Sequence, residues 1–179
     1  MKNTKYLSRI INGHKTLVIS CIDCQLDMTA DHAEHIFVYT TLGNMLNQSD
    51  EGQRNCIQYY LEQYQCSQII VAGHCQCRAV DYLLNKNTQD ASVLSYQCNL
   101  QALLKTHHGE LLRKNSRKQM LIEQNVIEQS RLLMEYDFVK QGVEKGRLNV
   151  LGLVVAEQTK QHTTVFHNGF SFNHRISMN

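Results

Sequence analysis

Apolar and polar positions fall into two regimes along the chain. Short runs rich in β-branched residues, Leu17-Val18-Ile19, Ile36-Phe37-Val38-Tyr39, Ile69-Ile70-Val71-Ala72 and Leu148 to Ala156, have the length of strands buried in a parallel sheet. Ser20-Cys21 ends the first run and Leu42-Gly43-Asn44 breaks the second. After the third, Gly73 is expected to open a turn that carries His74 to Cys77. Between the runs the period changes. Residues Gln53 to Tyr64 set Cys56, Ile57, Tyr60, Leu61 and Tyr64 at helical intervals, which predicts one apolar stripe on a helix. Ala79 to Leu84 begins another helix. Leu100, Leu103, Leu104, Leu111 and Leu112 fit a further helical segment, and Met120 to Met134 a longer one on which Ile122, Val126, Ile127 and Leu133 recur. A short helix from Phe138 to Lys145 ends at Gly146, placed as a C-cap. Thr163 to Phe166 is positioned to return against Leu148 to Ala156 as a hairpin. Strands alternating with helices predict an α/β fold, a mainly parallel β-sheet flanked by helices with room for an antiparallel edge strand. The chain contains no proline, so the usual marks of element boundaries are missing.

Composition narrows the class. A chain of 179 residues, 42% of them hydrophobic, is long enough to close one core, so a single domain over residues 1–179 is expected, with 1–14 as an N-terminal arm. Its 18 basic and 16 acidic residues give a net charge of +2 without clustering, which argues against a nucleic-acid partner. No run approaches the length of a membrane span or a signal peptide, so a cytoplasmic protein with no membrane partner is expected. Seven cysteines are odd in number and too few for a disulfide scaffold, which favours thiol or metal chemistry. Cys56, Cys66 and Cys98 stand alone and are expected in the core, because free cysteine behaves as a small hydrophobe. Cys21 with Cys24, and Cys75 with Cys77, form two tight pairs.

Both pairs follow predicted strands, and parallel α/β sheets assemble their sites beyond the carboxyl ends of the strands. Cys21 and Asp23 follow the first strand, His74 and Cys77 the third, so two distant loops are able to meet at one ion. Two thiolates, an imidazole and an oxygen donor suit tetrahedral Zn²⁺. Two other readings use the same cysteines: a closed four-thiolate site of Cys21, Cys24, Cys75 and Cys77, or a redox dithiol of Cys21 and Cys24. His14, His32, His35, His107, His108, His162, His167 and His174 lie mostly in polar stretches and are expected at the surface.

The residues around these motifs carry a resemblance. Cys21-Ile22-Asp23-Cys24-Gln25 resembles the Cys-x-Asp-Ser-Arg loop of β-class carbonic anhydrases, and Gly73-His74-Cys75-Gln76-Cys77 their Gly-His-x-x-Cys loop. Phe37-Val38 with Gly43-Asn44 resembles the family's second strand and Gly-Asn turn. Asn125-Val126 with Gln129, followed by Val139, Gly146, Leu148 and Gly152, resembles its Asn-Val-x-x-Gln helix and the next strand. The likeness runs from Lys15 to Val165. It implies zinc held by Cys21, His74 and Cys77, with Asp23 either bonded to a zinc-bound water or itself a ligand. It also implies reversible hydration of carbon dioxide to bicarbonate by a zinc-bound hydroxide, in a homodimer or dimer of dimers. Because two thiolates cancel the charge of the ion, activity is expected to favour alkaline pH.

The chain departs from the pattern at Gln25, where the family has an arginine that holds the aspartate off the metal. Glutamine donates hydrogen bonds but cannot form a charged bidentate pair. Asp23 and Gln25 are therefore the residues on which catalysis turns. Two outcomes follow: a carbonic anhydrase of reduced activity or closed site, or an inactive zinc-binding relative with a binding or regulatory role. Arg78, directly after Cys77 where the family usually has glycine, either supplies a substitute charge or faces solvent.

Overall fold

The computed structural model describes residues 10–24, 35–85, 98, 101–102, 114–156, 159 and 161–172. Four parallel strands are laid down first: β1 (Thr16–Cys21), β2 (Ile36–Thr41), β3 (Gln68–His74) and β4 (Asn149–Ala156). β5 (Gln161–His167) and β6 (Phe170–Ser171) then add antiparallel to one edge. The resulting sheet has the order β2-β1-β3-β4-β5-β6. β1 and β3 are buried at every position, as their unbroken apolar runs require. The expected antiparallel edge is present, with one strand more than the hairpin anticipated.

The helices described are α1 (Glu51–Gln63), α2 (Arg78–Asn85), α3 (Lys114–Met134) and α4 (Asp137–Glu144). α1 begins two residues before the expected start because Asp50 caps it, its carboxylate accepting the Gln53 N–H at 3.0 Å. Lys145 caps α4, and Gly146, expected as the cap, sits one residue beyond it at φ +64, the left-handed position that follows a helix end. On one face of the sheet Leu17, Ile19, Ile69, Val71 and Val150 pack with Ile57, Ile122 and Val126. On the other, Val18, Ile70, Ala72 and Leu153 pack with Ile11.

Two expectations need correction. β3 does not stop before a turn at Gly73. Gly73 and His74 stay in register with Val154 and Val155, and the Cys75 N–H donates to the Val155 carbonyl at 3.1 Å, so β4 holds the backbone extended for two more residues. Of the three lone cysteines, Cys66 is buried, whereas Cys56 and Cys98 are exposed. α1 buries Gln53 and Ile57, one turn apart, so Cys56 is turned toward water. Leu100, Leu103, Leu104, Leu111 and Leu112 lie outside the described residues. No helix among the described residues is long and apolar enough to cross a membrane.

Candidate metal centre

Parallel pairing of β1 with β3 aligns Ser20 with Ala72, which brings Cys21 and His74 to the same end of neighbouring strands. Asp23 lies two residues into the turn after β1, and Cys77 immediately before α2. The Cys24 N–H donating to the Cys21 carbonyl and the Cys77 N–H donating to that of His74 close both turns. The result unites all four residues singled out in the sequence. One donor atom from each of Cys21, Asp23, His74 and Cys77 lies within 4.8 Å of every other.

The two sulfurs are 3.6 Å apart. Zn–S bonds of ~2.3 Å would set two corners of a tetrahedron ~3.8 Å apart, so the spacing fits that metal. Asp23 Oδ1 lies 2.7 Å from Cys21 Sγ, 3.0 Å from His74 Nε2 and 3.8 Å from Cys77 Sγ. The carboxylate is therefore in reach of all three other donors. Its other oxygen, Oδ2, accepts the Arg78 backbone N–H at 2.7 Å, at the start of α2, and lies 3.8 Å from Arg78 Nε. Arg78 is 83% exposed, so its guanidinium reaches Asp23 from the solvent side.

Hydrogen bonds among the donors shift how they titrate. Contact with the Cys77 thiol, and secondarily with His74, outweighs burial and brings Cys21 down to about 6. Cys77 is pushed well above the ordinary thiol range, first by its bond to Cys21 and then by burial. The sulfur pair thus keeps one proton at neutral pH. Burial alone would raise Asp23, but hydrogen bonds from the Cys21 thiol and the Arg78 N–H, with the nearby His74, hold it at about 2. The Cys21 thiol donates to Asp23 Oδ1 at 2.7 Å, and a divalent cation bound by both groups would displace that proton. Soft sulfur, borderline nitrogen and hard oxygen together match Zn²⁺.

Sequence reasoning did not find two of the supporting groups, the backbone N–H of Arg78 on Asp23 and that of Gly43 on Cys21 Sγ at 3.2 Å. Main-chain donors leave no mark in residue identity; the Gly43-Asn44 turn was the only available signal. Cys24 and Cys75 are half-buried and are not part of this cluster of four donors. His162 and His167 are exposed as expected, while His14 is partly buried, its ring nitrogen 3.0 Å from Ser67 Oγ. Gln25, His32, His107, His108 and His174 lie outside the described residues.

The family profile described as carbonic anhydrase matches residues 16–161. Among solved structures, the chain is similar to the wild-type β-carbonic anhydrase CafD of the filamentous fungus Aspergillus fumigatus, with 26% identity and a TM-score of 0.72 over 86% of this chain and 90% of that one. One of two tetrameric β-carbonic anhydrases from the ascomycete Sordaria macrospora matches at 16% identity and a TM-score of 0.70, covering 89% and 85%. A Coccomyxa β-carbonic anhydrase in complex with acetazolamide matches at 20% identity and a TM-score of 0.69, covering 94% and 81%. No curated protein sequence matches the chain.

Proposed function

The chain belongs to the β-carbonic anhydrase family, and from that premise we propose that it binds zinc through Cys21, His74 and Cys77 and catalyses the reversible hydration of carbon dioxide to bicarbonate. The observation that carries this reading is the convergence of those three donors with Asp23 within 4.8 Å at the ends of β1 and β3. Bound zinc supplies Lewis acidity, which lowers the pKa of water toward neutrality.

The protein's own residues decide whether a fourth position is open. Asp23 serves as the gate: Oδ1 turned to the donors closes the site, and release of Oδ1 opens it. The Arg78 N–H and, at 3.8 Å, the Arg78 guanidinium hold Oδ2 on the far side. An exposed guanidinium contributes little beside the charged bidentate pair that Gln25 cannot form. The equilibrium therefore leans toward the closed form, which makes the enzyme slow near neutral pH. A zinc protein without turnover is the second reading, favoured by the seat of Oδ1 2.7 Å from Cys21 Sγ and 3.0 Å from His74 Nε2. The relatives from Sordaria are tetrameric, which supports a homo-oligomer here.

Stopped-flow hydration of carbon dioxide by the zinc-loaded protein, at pH 7 and near pH 9, tests the proposal. The expected result is a rate above background that is larger at the higher pH, and a further gain in Gln25→Arg of roughly ten- to a hundredfold, the value of a charge-assisted bond of about 1.5–3 kcal/mol. A rate indistinguishable from buffer at both pH values, in the parent and in Gln25→Arg, would establish the zinc protein without turnover.

A further inference from the structure

A chain of buried hydrogen bonds runs from α3 to the metal centre. The Gly43 N–H donates to Cys21 Sγ at 3.2 Å, and the Gly43 carbonyl accepts from Asn125 Nδ2 at 2.9 Å. Asn125 Oδ1 accepts from Gln129 Nε2 at 3.1 Å, and Gln129 Oε1 accepts the Leu46 N–H at 2.7 Å. Asn125 Nδ2 also reaches Asn44 Oδ1 at 3.1 Å. Asn44, Asn125 and Gln129 are each at most 3% exposed, so none of these bonds competes with bulk water. The turn they grip is unusual: Gly43 at φ +67 and Asn44 at φ +51 are successive left-handed residues, a conformation an unsupported segment would leave readily.

We infer that Asn125 and Gln129 are positioning residues of the metal centre, clamping the Leu42–Leu46 turn so that the Gly43 N–H stays on the Cys21 sulfur. This rests on the zinc reading above and adds a role for α3, which contributes no donor to the ion. The amide pair is suited to the task because each side chain both donates and accepts, fixing the turn at Gly43 and at Leu46 at once. Hydrogen bonds to a ligating sulfur draw charge from it and fix its direction, and loss of such support commonly weakens metal binding ten- to a hundredfold.

The test uses the full chain loaded with Co²⁺, whose sulfur-to-metal charge-transfer band reports donation from the thiolates. Affinity is measured by competition with a chromophoric chelator. In Asn125→Ala the band is expected to move to lower energy and Co²⁺ affinity to fall about tenfold or more. Ser130→Ala serves as the control: Ser130 is fully buried one turn along α3, but its hydroxyl only donates to the Val126 carbonyl within the helix. It is expected to lower the melting temperature without moving the band. If Asn125→Ala lowers the melting temperature yet keeps the parental band and affinity, the positioning role is overturned. Should Asn125→Ala not fold, Gln129→Met decides in the same assay, a shift in the same sense supporting the role and an unmoved band refuting it. Failure of the unaltered protein to take up Co²⁺ is a different result, which overturns the zinc reading itself and the positioning role with it.

Discussion

Cys66 shows how one position carries both a reading and a measurable consequence. It follows Gln65, which ends the turn after α1 in a left-handed conformation (φ +55), and it enters the core just ahead of β3. Burial raises its thiol to about 11, against a small opposing effect of Lys15. In the unfolded chain the thiol ionises near the ordinary value of about 8.5, so between that value and about 11 the unfolded state holds fewer protons than the folded one. Stability from the neutral thiol is therefore complete below pH ~8.5 and lost as pH rises toward 11. Urea unfolding at pH 7 to 11 is expected to show the parent losing roughly 2–3 kcal/mol more than Cys66→Ala over that interval, at about 1.4 kcal/mol per pH unit. Parallel curves for the two proteins would refute the assignment. Lone cysteines were only partly legible in the sequence. Cys66 obeyed the rule that thiols are buried, while Cys56 escaped it because the rule carries no information about helical phase.

At the level of elements, the distance of α3 from the sheet sets the site. Gly73 and Gly152 face this helix, and a Cβ at Gly73 would lie 2.5 Å from Val126 Cγ2 and 3.0 Å from Ile122 Cγ2. Both contacts are to branched side chains held in a packed core, so the neighbours cannot simply rotate away. Gly73→Ala is expected to cost ~1–3 kcal/mol by overpacking. It should also weaken metal binding, since His74 is the next residue and Asn125 adjoins Val126 on the helix. Val126→Ala in the same chain removes the nearest clash and should restore a large part of both losses. Thermal melts and metal competition on the two single variants and the double variant check this, and additive losses with no rescue would show that the contact is not the cause. The periodic apolar positions made α3 readable from sequence, and the glycines marked close approach. The polar residues Asn125 and Gln129 resembled family positions without disclosing a purpose, because a buried amide takes its meaning from partners 81 to 83 positions away.

For the molecule as a whole, the parallel order of β1 and β3 is what joins two short motifs into one centre. This was the most legible level: unbroken apolar runs ending in donor-rich turns imply a parallel sheet with its chemistry at the carboxyl ends of the strands. The main-chain donors that support the site were not legible, nor was the extension of β3 through His74, which depends on pairing with Val155 of a strand far along the chain. The same topology predicts how stability responds to metal. The unfolded chain separates Cys21 and Asp23 from His74 and Cys77, whereas the fold gathers the four donors within 4.8 Å. Only the folded chain offers all four donors to one ion, so metal binding is coupled to folding and assists it. An ion that binds only the folded state stabilises it by RT ln(1 + [L]/Kd), about 2.7 kcal/mol when free metal is a hundred times Kd. Zinc at that excess is expected to raise the unfolding midpoint of the parent and a chelator to reverse the gain. Cys77→Ser should lose most of the response, whereas Cys24→Ser, outside the donor cluster, should keep it. A midpoint indifferent to zinc in the parent, or a response that survives Cys77→Ser and fails in Cys24→Ser, would relocate the metal away from the ends of β1 and β3.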